Sequence, residues 1–517
     1  MSIGSPQFRG TFWNRIPSWA VILSIGLLSL LVNTLYLKML GNPVVPRIHD
    51  EFSYLLGGET LSKGRLSNPP HPLWEHFESM HIFQQPTYGS KYPPGQALML
   101  AIGYRLGNPH YGILLEGALA AMTVYFLLTA WMSRGWALAG AVLALFHPLS
   151  LEWSSSFWGG HLSVIGGAVT LGALLRGYRT PSLKYGLLMG LGVSILALSR
   201  PFEGALYTTL CLLFALVALL REGLPKLRLF LARMLPGFAA VLLLTAGWHL
   251  YYNYRVTGSA LKLPYLLYEQ TYNCAPIFLW QKAPPSIEYR SDEFARFAAW
   301  THREYERQRT WQGFWSTLRD KLVSNGFLWL GYGLLVPPLL FALWTWRPPV
   351  RQACLLITLF LLCELSVVWL HPHYLACLFG MVIALAVMGY QAMARLPHIG
   401  PALAAGTLLA AVGTGFFYQP DSIRKRFRSS NWAYQRQELV EKLSHTLKKH
   451  LLLVSYSPDH SFHNEWVYNG ADIDGSRVIF ARSLKDNRRL LEYYKDRKIW
   501  YLHVGKKSHQ LTPLTPE

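Results

Sequence analysis

Charged residues are scarce in this sequence. Asp, Glu, Lys and Arg make up 15% of the 517 residues, whereas hydrophobic residue types make up 51%. Together with a mean hydropathy of +0.20, this composition excludes a disordered chain and an ordinary soluble enzyme. Segments without charge recur, and one of them, Ile16 to Leu37, is long enough to cross a hydrocarbon core of about 30 Å as a helix. The sequence therefore predicts an integral membrane protein.

Cysteines and the usual nucleotide-binding motifs are also few or missing. Four of the five cysteines lie in apolar segments and only Cys274 lies in a loop, which excludes a disulfide framework. The sequence has no Walker loop, no GxGxxG opening a helix after a strand, and no nucleophile elbow. The usual sequence signals of ATP-driven transport and of nicotinamide chemistry are therefore missing. It also has no N-x-Ser/Thr sequon, which favours a bacterial inner membrane.

The net charge of +20 would suggest nucleic acid as the partner of a soluble protein. In a membrane protein the same excess arises because Lys and Arg collect in cytoplasmic loops, so we expect membrane lipids and no nucleic acid. The first apolar segment follows Arg9 and Arg15 and reads as an uncleaved helix with the N-terminus in the cytoplasm. About eleven transmembrane helices follow from the apolar runs: 17–40, 111–133, 135–151, 158–177, 183–199, 203–221, 229–251, 324–346, 352–370, 374–394 and 397–418.

Two long outer loops, 41–110 and 252–323, interrupt the predicted helices. The segment 93–106 is too short for a span, and counting it would invert the charge pattern of all later loops, so we predict a juxtamembrane or re-entrant helix. Phe52, Leu55, Leu56 and Leu61 form an amphipathic pattern suited to the lipid surface. The predicted fold is a mainly α, polytopic membrane domain over 1–420, followed by a small soluble α/β domain over 421–517 on the outer side.

An acidic pair, Asp50-Glu51, stands at the start of the first outer loop. Asp50 could cap a helix that starts at Phe52. It could also act as a general base, with a pKa raised by partial desolvation, and take a proton from an attacking hydroxyl. The two interpretations do not exclude each other.

Two cations on the outer side could bind phosphate. Lys91 and Tyr92 precede Pro93-Pro94, where the free amides of a starting helix suit an anion, although a lysine there could equally extend to the lipid headgroups. Arg200 is the only Lys or Arg in any short outer turn and so opposes the orientation signal. It could bind an anion or form a structural pair with Glu203.

Histidines and aromatic residues complete the outer face. His371, His373 and Tyr374 begin one predicted span, and Trp158 and His161 begin another. Such residues usually form an interfacial belt, and only their joint placement favours a site. Glu364 lies within a predicted span and is either functional or hydrogen-bonded across helices.

Two further motifs predict no metal site. Asp472-Ile473-Asp474-Gly475 resembles a calcium loop, but Arg477 stands where the required glycine belongs, so we interpret it as a turn. His460 and His463 have no cysteine or HExxH context. No cofactor is indicated with certainty, the metal is unknown, and a divalent cation is left open.

The order of these features resembles that found in the GT-C membrane glycosyltransferases. The resemblance is to the branch that contains the protein O-mannosyltransferases and the lipid A aminoarabinose transferase. The residues that carry the resemblance are the acidic pair Asp50-Glu51 after the first helix and the later Lys91-Tyr92-Pro93-Pro94 before a juxtamembrane helix. The layout extends over roughly residues 17–418. The region after residue 420 does not match the better-known members closely.

The resemblance implies inverting transfer of a sugar from a polyprenyl-phosphate donor to an acceptor hydroxyl at the outer membrane face. By position, Asp50 would be the general base and Glu51 would support substrate placement. The donor phosphate and sugar would be bound by Lys91, Tyr92, Arg200, Glu203, Trp158, His161, His371, His373 and Tyr374. The acceptor, whether glycan, lipid or protein, stays open. The main alternative is a transporter or flippase of lipid-linked precursors, and a structural subunit is a third.

Overall fold

The computed structural model describes residues 16–41, 44–272, 275–285, 287–429 and 431–514, with backbone only for 418–429 and 431. Arg9, Arg15 and Cys274 lie outside the described residues. The helices of the first half are α1 (Ser18–Leu40), α2 (His49–Ser62), α3 (Pro94–Arg105), α4 (His110–Leu128), α5 (Arg134–Phe146), α6 (Pro148–Ser154), α7 (Gly160–Arg179), α8 (Leu183–Ser199), α9 (Pro201–Glu222) and α10 (Leu224–Thr257).

The second half continues the helix bundle and ends in a mixed region. Its helices are α11 (Pro264–Tyr272), α12 (Asp292–Gln308), α13 (Trp311–Trp329), α14 (Val336–Thr345), α15 (Pro348–Glu364), α16 (Phe379–Met393), α17 (Gly400–Ser429), α18 (Asn431–Ser444) and α19 (Arg488–Tyr493). The strands are β1 (Ile82–Phe83), β2 (Gly89–Ser90), β3 (His450–Tyr456), β4 (Val478–Arg482), β5 (Lys498–Val504) and β6 (His509–Pro513).

The mainly α, polytopic fold class is confirmed. Six helices within the described ranges are long and apolar enough to span a membrane: α1, α4, α9, α10, the segment Ala376–Met393 containing α16, and Gly400–Phe417 of α17. The pair α5 and α6, bent by 55°, would make a seventh. The count of eleven is not confirmed. One reason is that the predicted helix 324–346 is interrupted between α13 and α14, where Gly331, Tyr332 and Gly333 adopt positive φ.

Helix α3 confirms that the segment after Pro93 is helical and short. It packs against α2, α4 and α8 and is not among the candidate spans of the described residues. Gly58 of α2 makes the close approach possible, because a Cβ there would lie 2.6 Å from Cβ of Leu100.

The C-terminal region contains a four-stranded sheet of order β4-β3-β5-β6, in which only β6 is antiparallel to its neighbour. The sequence predicts strands over 451–455, 477–481 and 499–504, which coincide with or overlap β3, β4 and β5, and β6 was missed. Leu452 and Val454 of β3 pack in one cluster with Phe52 and helix α18, whereas Leu451 and Leu453 pack in another cluster with Leu56. The first outer loop therefore supplies part of the core of the sheet on both faces. The division of the chain at residues 420 and 421 stays a prediction.

Helix α2 lies inside the protein, and the expectation that it rests on the lipid surface is wrong. Phe52, Leu55 and Leu56 are all at most 6% exposed. Phe52 contacts Trp432 and Tyr468, which lie 380 and 416 positions later in the chain. An amphipathic pattern does not reveal whether lipid or a distant segment covers its apolar face.

Candidate functional site

Asp50 lies in the first turn of α2, which begins one residue earlier at His49 without a side-chain cap. The expectation that Asp50 caps a helix starting at Phe52 is therefore wrong. Tyr92 donates its hydroxyl to Oδ1 of Asp50. Oδ2 lies 3.0 Å from Nδ1 of His49 and 3.6 Å from Nε2 of His81. The carboxylate keeps 23% of its side-chain surface exposed, so a substrate can reach it.

The expected raised pKa of Asp50 is also wrong. Burial by itself raises the pKa of this carboxyl, but the attraction of His81 and His49 and the hydrogen bonds from His49 and Tyr92 outweigh burial and hold the pKa well below its usual value. Asp50 is therefore ionised throughout the physiological pH range. It can accept a proton or bind a cation without prior deprotonation.

Glu51 points away from Asp50 and holds the backbone. Its Oε2 accepts the backbone N–H of Arg47 at 2.7 Å, and its Oε1 accepts that of Phe157 at 2.9 Å. Burial raises the pKa of Glu51, although Arg47 and these two hydrogen bonds act in the opposite direction. The side chain is 0% exposed. Its geometry fixes the start of α2 against the turn before α7.

Lys91 is buried and already has an anionic partner. Its Nζ lies 3.0 Å from Oε1 of Glu269 in α11, with the rings of Tyr265 and Tyr268 each within 5 Å. Burial of Lys91 beside Glu269 does not fit the alternative extension to lipid headgroups, and the predicted phosphate contact stays a prediction. An anion at Lys91 would have to replace Glu269.

Arg200 stands between α8 and α9 and lacks such a partner. Its guanidinium lies 4.6 Å from the ring centre of Tyr374, and among the described residues it makes no ion pair and no hydrogen bond through its side chain. Glu203 is near enough to act on it electrostatically but forms no contact ion pair. Arg200 is half-buried, and a partly desolvated cation without a bound counter-ion is costly, so this geometry is suited to an anion from outside the chain.

Aromatic and imidazole rings surround Arg200. His373 lies 5.1 Å from Trp158 and 4.8 Å from Tyr374 between ring centres, and His371 stacks on His373 at 5.7 Å. The predicted convergence of these loop residues is therefore present in the structure. Their roles stay predictions.

His161 is not part of this group. It is 2% exposed, lies 3.0 Å from the hydroxyl of Ser150 and packs against Trp153 inside the helix bundle. Glu364 is likewise buried, and neither carboxylate oxygen has a hydrogen bond in the described part of the chain. The hydrogen bond across helices considered for Glu364 is absent there.

The Asp50 and Arg200 groups belong to one site. Tyr54 stacks on Tyr92 at 4.3 Å, and both tyrosines are close enough to act electrostatically on Arg200. Asp50 in turn acts on Tyr374 and His373. The structure thus places an ionised carboxylate and an unpaired guanidinium on either side of two stacked tyrosines.

Sequence reasoning missed three participants: His81, Tyr54 and His463. Nε2 of His49 lies 3.3 Å from Nδ1 of His463, which comes from the segment between β3 and β4. The histidines show no spacing pattern because they approach Asp50 from separate parts of the chain. His49, Asp50 and His81 offer ligand atoms within 4.8 Å of one another and could hold a metal ion. The sequence Asp472 to Gly475 forms a turn, as predicted, in which Oδ1 of Asp472 accepts the N–H of Gly475.

No protein-family model and no curated protein sequence matches this chain. Several solved structures do match this chain. ArnT from Cupriavidus metallidurans in the apo state has a TM-score of 0.50 and 13% sequence identity, covering 94% of this chain and 92% of that chain. The same protein bound to undecaprenyl phosphate has a TM-score of 0.50 and 11% identity, with coverage of 93% and 92%.

An archaeal structure is similar to the same extent. The Archaeoglobus fulgidus oligosaccharyltransferase in complex with zinc and sulfate has a TM-score of 0.50 and 12% identity, covering 93% of this chain and 67% of that chain. Identities this low establish the fold alone. The chain therefore has the polytopic fold of these solved structures.

Proposed function

We propose that this protein is an integral membrane glycosyltransferase that moves a sugar from a polyprenyl-phosphate donor to an acceptor hydroxyl, with inversion. The observation that carries the proposal is the pairing of an ionised, reachable Asp50 with an unpaired Arg200 across Tyr54 and Tyr92. The fold shared with ArnT, which has been solved with undecaprenyl phosphate, supports the same choice of donor.

Arg200 would bind the donor phosphate. Its guanidinium can donate two parallel hydrogen bonds to phosphate oxygens, while Tyr374 holds it from one side. Trp158 and His373 would line the path of the sugar. As the sugar leaves, negative charge grows on the phosphate, and a fixed cation stabilises that charge more than it stabilises the bound donor.

Asp50 would act on the acceptor. The acceptor oxygen forms a bond to the anomeric carbon as the bond from that carbon to the phosphate oxygen breaks, and Asp50 takes the hydroxyl proton. The products are the glycosylated acceptor and polyprenyl phosphate. A base of low pKa is sufficient because the hydroxyl becomes strongly acidic only as its new bond forms.

His49, Asp50 and His81 fit a divalent cation. Nδ1 of His81 is buried without a hydrogen-bond partner in the described part of the chain, Nδ1 of His49 already faces Asp50 at 3.0 Å, and imidazole with carboxylate is a donor set that zinc accepts. A bound cation would supply Lewis-acid polarisation of an acceptor hydroxyl beside Asp50. Zinc titration of the purified protein should detect binding that His81→Ala removes.

We place the reaction at the outer face of a bacterial inner membrane. The N-terminus would be cytoplasmic, and the region after residue 420 would lie outside the cell. This orientation rests on the cation-rich turns around Arg134, Arg179 and Arg221.

The test is release of polyprenyl phosphate from polyprenyl-phosphate-linked sugars by the purified protein. Asp50→Asn should slow release by about 10²- to 10⁴-fold, whereas Asp486→Asn, which removes an exposed carboxylate at the surface, should leave it unchanged. A transporter or flippase would move the donor without releasing polyprenyl phosphate. Normal release by Asp50→Asn would remove Asp50 as the base.

A further inference from the structure

Four aromatic rings from three separate parts of the chain meet beside Asp50. Trp300 of α12 stacks on Trp369, which follows α15, at 4.8 Å between ring centres. Phe462 lies 5.7 Å and His463 lies 5.0 Å from Trp300. All four side chains are half-buried, so each keeps some surface open. We call Trp300, Trp369, Phe462 and His463 the aromatic cluster.

The two oxygens of the Asp50 carboxylate face different neighbours. Oδ1 lies on the side of Arg200, and Oδ2 lies on the side of the aromatic cluster. Tyr92 contacts Oδ1 and leads, through Tyr54, toward Arg200. His49 contacts Oδ2 at 3.0 Å and lies 3.3 Å from His463. A carboxylate that removes a proton from an acceptor must face that acceptor as well as the donor, and the side next to His463 is separate from the side next to Arg200.

The segment that carries Phe462 and His463 is held firmly in place. Arg296 of α12 donates to the carbonyl oxygens of Pro458 at 2.7 Å and His460 at 2.9 Å. Arg482 of β4 is hydrogen-bonded to Glu465 at 2.8 Å. These contacts at both ends of the segment fix its rings before any ligand arrives, which lowers the entropic cost of binding.

We propose that the aromatic cluster is the acceptor subsite and that the acceptor is a saccharide, an inference that rests on the proposed glycosyl transfer. A pyranose ring presents polarised C–H groups on its faces and hydroxyls around its rim. Aromatic faces carry negative potential and attract such C–H groups. Nε2 of His463 makes no hydrogen bond within the described ranges, so it is free to contact a hydroxyl beside the ring.

Two other acceptor classes fit the aromatic cluster less well. A lipid chain needs a continuous apolar path from the membrane, whereas α12 is not a candidate span and carries charged residues such as Arg296 and Glu293 beside Trp300. An extended peptide would need free backbone groups of a sheet edge. The strands nearest Asp50, β1 and β2, pair with each other and are buried.

Binding measurements on the full-length protein in detergent test the proposal. The probes are alkyl glycosides of glucose, galactose, mannose and N-acetylglucosamine, read by saturation-transfer NMR, and undecaprenyl phosphate in a separate titration. Trp300→Ala should weaken binding of the best glycoside by about tenfold or more and leave undecaprenyl phosphate binding unchanged. Trp300→Phe keeps a flat ring and should retain most of the affinity. Trp311→Ala, which removes a tryptophan 76% exposed at the start of α13, should change neither.

The two titrations separate the two hypotheses. Glycoside binding by none of the four probes, or equal binding by the wild type and Trp300→Ala, would overturn the saccharide subsite. Hydroxyl-bearing peptides that bind in place of the glycosides and depend on Trp300 would also overturn it. Failure of the wild type to bind undecaprenyl phosphate would instead contradict the proposed donor.

Discussion

Two arginines, the buried Arg482 in the C-terminal sheet and the half-buried Arg200 between α8 and α9, have opposite surroundings. Arg482 lies 3.0 Å from Glu293 and 2.8 Å from Glu465, and it donates to the backbone carbonyl of Glu78. Arg200 forms no ion pair within the described ranges, and its guanidinium lies 4.6 Å from the ring centre of Tyr374. A guanidinium that is paired with two carboxylates holds parts of the chain together, whereas one without such partners is available to a ligand.

The same contrast separates two neighbouring carboxylates. Glu51 accepts two backbone N–H groups and cannot be reached from outside. Asp50 is contacted by side chains only and stays partly exposed. We therefore expect Arg482 and Glu51 to act on stability, and Arg200 and Asp50 to act on substrates.

The largest effect on folding should come from Arg482→Gln. It would leave Glu465 as a buried charge without its cation, while Glu293 would keep only Arg296 at 3.2 Å; the loss costs about 3–5 kcal/mol. Thermal unfolding and protease sensitivity of the C-terminal region would measure the loss. Arg488→Gln, at an exposed arginine paired with Asp486, is the control and should change nothing measurable. A stable Arg482→Gln protein would show that the network is dispensable.

Arg200→Ala should reduce affinity for the donor without reducing stability. Loss of charge-assisted hydrogen bonds worth about 1.5–3 kcal/mol predicts binding of undecaprenyl phosphate about 10- to 100-fold weaker. Arg200→Lys should be intermediate because a lysine keeps the charge but not the two-pronged geometry. Arg319→Ala, at a side chain 76% exposed, serves as the matched control. Unchanged lipid binding with a lowered unfolding temperature would make Arg200 a structural residue.

Of these three substitutions, Glu51→Gln should have the smallest effect, and that effect should be on the stability of the protein. A glutamine has one acceptor oxygen, so one of the two backbone N–H groups at Arg47 and Phe157 loses its partner, at a cost of about 1–2 kcal/mol. Activity per folded molecule should stay near normal. A large loss of turnover without a loss of stability would move Glu51 into the group of residues that act on substrate.

Much of the architecture is predictable from the sequence. Apolar runs locate α1, α4, α9 and α10, and short apolar segments locate β3, β4 and β5, because burial in lipid or in a sheet leaves a local pattern. The site residues near Arg200 can also be inferred, since Arg200 opposes the distribution of cations expected in outer turns. These signals depend only on neighbouring residues or on loop position.

The errors arise where distant segments meet. The apolar face of α2 fits a lipid surface equally well in sequence, and only the sheet built after residue 449 shows what covers it. The pKa of Asp50 follows from His49, His81 and Tyr92 together, a combination that spacing does not reveal. His161 looks equivalent to His373 in the sequence, but the turn before α7 directs it toward Ser150.

A structure of the protein with undecaprenyl phosphate tests the central claim most directly. The account predicts phosphate oxygens within hydrogen-bonding distance of the Arg200 guanidinium, beside Tyr374, with Lys91 still paired to Glu269. A phosphate bound at Lys91 after displacing Glu269, or at a site remote from Arg200, would contradict it.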